Sequence, residues 1–147
     1  MVDRRAEGGP ARASKGEPLN QRQRALLWID GGAGAIAGVL VVSFREWLAA
    51  LQGFPLSLVL FIGVANLAYA AYSTTLAIRA SGGRRPSRGS IAWLVTANAG
   101  WAVVCGVILA STWAFATPFG RALVTFEGLF VGSLAFVEYR LLLKHSR

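Results

Sequence analysis

Four long apolar runs alternate with short polar connections along this chain: Ala25–Phe44, Leu56–Ile78, Ile91–Trp113 and Phe119–Leu143. A helix needs about 20 residues to cross a hydrocarbon core of about 30 Å, and each run meets that length. The pattern predicts an all-α polytopic membrane protein, an antiparallel four-helix transmembrane bundle spanning residues 21–147. The lead Met1–Asn20, rich in Gly, Ala, Arg and Pro and without an apolar period, is expected to be a disordered cytoplasmic tail. Arg22 and Arg24 precede the first run as in a signal peptide, but the run continues past Ala33–Ala35, so an uncleaved first helix is expected.

The connections differ in character. In Arg45–Pro55, Trp47, Leu48 and Leu51 share one helical face, with Arg45, Glu46 and Gln52 elsewhere. That spacing fits a short interfacial helix stopped by Gly53 and Pro55, and a plain polar loop with an incidental Trp fits equally. Ser81–Ser90 carries Gly-Gly and Pro and reads as an unstructured link. Ala114–Pro118 is tight and makes the third and fourth runs antiparallel neighbours.

Charge then sets an orientation. Of 15 Lys and Arg, thirteen fall in the N-terminal tail, the second connection and the C-terminal end. Only Arg45 and Arg121 lie on the other side. The positive-inside rule puts both termini and the second connection on the cytoplasmic side. Trp28 and Trp93 mark one membrane boundary and Trp47 and Trp113 the other, leaving Trp101 mid-span. The net charge of +8 therefore suits anionic headgroups, not nucleic acid.

Cys105 is the single cysteine and His145 the single histidine, the latter outside every apolar run. No intramolecular disulfide or bis-histidine haem can be assembled within one chain, and the Cys/His ligands of a usual Zn site are missing, so no metal or cofactor is expected.

Lipid supplies no hydrophobic drive for helix association, so small residues and polar bonds must supply it. Gly34 and Gly38 in the first run, and Gly128 and Gly132 in the fourth, have GxxxG spacing. They serve either intramolecular packing or the interface of a homodimer or larger membrane complex.

Ionisable residues inside a span are costly and point to function. At about 1.5 Å per residue, Asp30 and Glu138 lie within the cytoplasmic third and Glu127 near the midplane. Glu127 and Glu138 are eleven residues apart and line one helix face. Asn66, Tyr69 and Ser73 share a face of the second run, and Asn98, Trp101 and Cys105 a face of the third. These groups are expected to converge on one cavity opening toward the cytoplasm. Structural alternatives stand beside this: Asp30 and Glu138 pairing with Arg24, Arg79 or Arg140, and Asn66 and Asn98 simply bonding across helices for about 0.6 kcal/mol each. Arg121 would reach Glu127 only by folding inward.

Three stretches, Asp30-Gly31, Asn98-Ala99-Gly100-Trp101 and Glu127-Gly128 with Glu138-Tyr139-Arg140, give a layout that resembles the DoxX-like group of small four-helix bacterial membrane proteins. The resemblance implies a similar bundle with cytoplasmic ends and carries no catalytic residue. The leading reading is a ligand-binding or accessory membrane subunit, more in keeping with a binding role than an enzyme. A proton-coupled carrier or channel using Glu127, lined by Asn66, Asn98 and Trp101, is the alternative. A membrane enzyme on a lipid-like substrate, with Glu127 or Asp30 as acid/base near Tyr69, ranks below both.

Overall fold

The computed structural model describes residues 19–144. The tail assigned to residues 1–20 thus lies almost wholly outside the described residues, as does His145. The order is α1 (Gln21–Ser43), α2 (Arg45–Gln52), α3 (Leu56–Ser81), α4 (Arg88–Thr112) and α5 (Pro118–Glu138), with α5 continuing into a π-helical turn over Tyr139–Leu143. There is no strand among the described residues. Four helices are long and apolar enough to cross a membrane, the all-α bundle expected from the apolar runs.

Three of the four spanning helices, α1, α4 and α5, begin one to four residues earlier than hydropathy alone indicates, because polar caps set their starts. Asn20 and Gln23 form a reciprocal capping box at α1, with each side chain accepting from the other's backbone N–H. Ser87 accepts from Ser90 N at α4, which shortens the expected 81–90 link to residues 82–87. Thr117 accepts from Gly120 N at α5, with Pro118 in the first turn.

The first connection is a helix, not a plain loop, and ends at Gly53 in the left-handed region (φ 72°). Its inward face differs from the expected one. Gln52 is buried while Trp47 is exposed. The Gln52 carbonyl accepts from Thr117 N, and Gly120 of α5 packs against the Gln52 backbone, so α2 is pinned by its last turn.

Close packing joins α1 to α3 and α4 to α5. The glycines allow it. A Cβ on Gly38 would lie 2.9 Å from Leu67 N, and one on Gly34 would meet Ala70 at 3.4 Å. On the other pair, Gly128 faces Cys105 and Gly132 faces Ala102. All four glycines are thus engaged within the chain. Two apolar cores result. One, at the end bearing the termini, contains Leu27, Leu76, Ile91, Leu94 and Leu142. The other, toward α2, contains Phe54, Val59, Ile62, Cys105, Ile108 and Val124. The polar groups of the spans lie between them.

Candidate functional site

Two polar clusters occupy that middle layer. In the first, Asp30 of α1 is the hub. Its Oδ2 accepts from Tyr69 Oη (2.6 Å) and Ser73 Oγ (2.5 Å) of α3, and its Oδ1 from Asn98 Nδ2 (3.2 Å) of α4. The same Asn98 amide nitrogen donates to Glu138 Oε2 (3.0 Å) at the end of α5. Four helices meet here through these side-chain hydrogen bonds, and Ser73 Oγ also reaches Leu27 O at 3.5 Å. Asp30 and Asn98 are each 2% exposed and Glu138 0%. Glu138 Oε1 is buried without a partner.

In the second cluster, Glu127 Oε1 accepts from Trp101 Nε1 (2.8 Å) of α4 and Asn66 Nδ2 (3.1 Å) of α3. Asn66 also donates to Ile62 O one turn earlier, which fixes its rotamer. Trp101 is braced by Phe61 at a centroid distance of 5.9 Å.

A cavity of about 700 Å³ joins the clusters. Asp30, Tyr69 and Asn98 lie at one end, and Asn66, Trp101 and Glu127 further along. The rest of its wall is apolar, including Ala33, Ala37, Leu123 and Leu134. Ile36 and Leu40 of α1, and Phe126 and Phe130 of α5, line it and are also exposed, so it opens sideways between α1 and α5. Where an opening toward the cytoplasm was expected, the side bearing the termini is filled by the apolar core of Leu27, Leu76, Ile91, Leu94 and Leu142, to which all four spanning helices contribute.

The seven predicted site residues are all in this layer, but in two groups instead of one. Glu138 alone does not line the cavity. The arginine alternatives are not formed. Arg24 Nε donates to Leu19 O, and Asp30 and Glu138 take their hydrogen bonds from Tyr69, Ser73 and Asn98. Arg121 faces away from Glu127, donating to Ala116 O and resting 4.6 Å over the Trp113 ring. Ser73, on the Asn66–Tyr69 face of α3, joins the first cluster through its bond to Asp30. Tyr72 turns elsewhere and donates to Ser90 O. No group of His, Cys, Asp and Glu able to hold a metal occurs among the described residues.

Comparison with protein-family models, curated proteins and solved structures finds no match.

Proposed function

We propose that this multi-pass membrane protein binds an amphiphilic ligand within the bilayer of a bacterial inner membrane, as a ligand-binding or accessory subunit. The observation that carries this reading is the sideways-opening cavity with a carboxyl in its wall. Buried apolar sites with a few placed polar groups suit ligands with an oily body and one polar handle. The body would lie against Ala33, Ala37 and Leu123, and the handle would meet Glu127 Oε2, which no hydrogen bond from the described residues occupies. Trp101 and Asn66 hold Oε1 and thereby aim Oε2. The basic tail, link and C-terminal end favour both termini on the cytoplasmic side. The enzyme reading gains less support, since Asp30 and Glu127 share no hydrogen-bond partner.

The test uses a photoreactive long-chain amine incorporated in vesicles with the purified protein. Saturable labelling concentrated on α1 and α5 near Ile36, Leu40 and Phe126, and reduced by Glu127→Gln, is the expected result. Labelling spread evenly over the lipid-facing surfaces of all the helices would overturn the reading.

One observation favours proton-coupled transport as a second reading. Glu127 faces the cavity with only neutral hydrogen-bond donors, Trp101 and Asn66, so ligand and proton would compete for one carboxyl.

A further inference from the structure

Below the cavity, the pair Asp30 and Glu138 raises a separate question. Two carboxyls from α1 and α5 share the amide of Asn98, and both are almost fully enclosed. The titratable groups facing them are few. Tyr69 comes from α3, α4 contributes only the neutral Asn98, and among the described residues no guanidinium or ammonium donates to either carboxyl. Two carboxylates side by side in a low-dielectric interior without a cation are strongly disfavoured, and such pairs keep a proton between them.

We infer that Asp30 and Glu138 form a single-proton binding site, with the proton resident on Glu138.

The hydrogen-bond inventory decides which carboxyl holds it. Asp30 receives three donors across both oxygens, as a carboxylate requires. Glu138 receives one, on Oε2, and its Oε1 has none. An ionised Glu138 would leave a charged oxygen buried and unpaired. A neutral acid there leaves only a hydroxyl, a far smaller loss. The backbone adds an independent sign. Glu138 is the last α-helical residue before the π-helical turn Tyr139–Leu143, a local irregularity of the kind that recurs at functional sites. Asp30 also lines the cavity whereas Glu138 does not.

The site is tested on the full chain in lipid nanodiscs by infrared spectroscopy at neutral pH. The carbonyl stretch of a protonated carboxylic acid is expected in the wild type. It should shift when glutamate carries heavy carbon in its carboxyl, stay put when aspartate does, persist in Glu127→Gln and vanish in Glu138→Gln. Absence of the band, its survival in Glu138→Gln, its loss in Glu127→Gln, or a shift with labelled aspartate would each overturn the assignment. If Glu138→Gln does not fold, labelling of the wild type and of Glu127→Gln still decides it. Ligand binding plays no part in this readout, so it stands or falls separately from the amine labelling.

Discussion

The indole of Trp101 donates to Glu127 Oε1 across 2.8 Å and ties the middle of α4 to the middle of α5. Hydrogen bonds to charged groups contribute about 1.5–3 kcal/mol, and half-buried ones toward the low end. Trp101→Phe keeps an aromatic ring against Phe61 but removes the donor. Thermal unfolding in mild detergent should show a loss of about 1–2 kcal/mol. An unchanged midpoint would mean the bond contributes nothing in the bilayer-like environment.

Glu127→Gln separates structure from function at the same position. A glutamine oxygen still accepts from Trp101 and Asn66, so the fold should persist. Under the carrier reading, pH-driven uptake into reconstituted vesicles should fall to background in this variant. Equal uptake by variant and wild type would eliminate the carrier reading.

Glycine substitutions should split by location. At Gly38 a Cβ would press on the Leu67 backbone at 2.9 Å, whereas at Gly132 it would meet Ala102 at an ordinary 3.6 Å. Gly38→Ala should cost about 1–3 kcal/mol through overpacking. Gly132→Ala should be neutral or stabilise by up to about 1 kcal/mol through helix propensity. Unfolding of the two variants side by side checks the contrast.

Thr117 fastens α2 to the rest of the molecule. Its hydroxyl caps Gly120 N and donates to Leu51 O at 2.7 Å, and its backbone N–H donates to Gln52 O. Thr117→Ala should cost about 1–2 kcal/mol as a lost cap. Amide hydrogen exchange in α2 should quicken selectively, and Thr117→Ser should restore the wild-type rates.

Orientation has its own measurement. Reporter fusions at either terminus should be active only as cytoplasmic reporters. Replacing Arg79, Arg84, Arg85 and Arg88 with neutral residues should lower the fraction inserted that way, since those four supply the basic character of the second connection.

Much of this architecture was legible because membranes impose long, uniform constraints. Run length gave the four spans, and glycine spacing pointed to the surfaces where α1 meets α3 and α4 meets α5. The polar residues were legible too, since Asp30, Asn66, Asn98 and Glu127 stand out against apolar neighbours. Their partition was not. Spacing along one helix places Asn66 and Tyr69 on a common face, yet Asn66 serves Glu127 and Tyr69 serves Asp30. That choice depends on how far α3 slides past α1 and α5 past α4, registers set by the glycine contacts within each of those pairs. The closed terminal side was hidden for the same reason. Leu27, Leu94 and Leu142 read as ordinary span residues until their common depth is known. Gln52 looked like a surface residue because its burial comes from a backbone contact with Thr117, sixty-odd positions downstream.

The seal formed by Leu27, Ile91, Leu94 and Leu142 bears on how any occupant would be delivered. Under the ligand-binding reading proposed above, molecules dissolved in the water on the terminal side would not step directly into the chamber. They would partition into the oily phase first and diffuse in two dimensions to the gap beside Phe126. Occupancy would then follow mole fraction in the membrane rather than molarity in the buffer, and apparent affinities would weaken as more lipid is added at fixed total ligand.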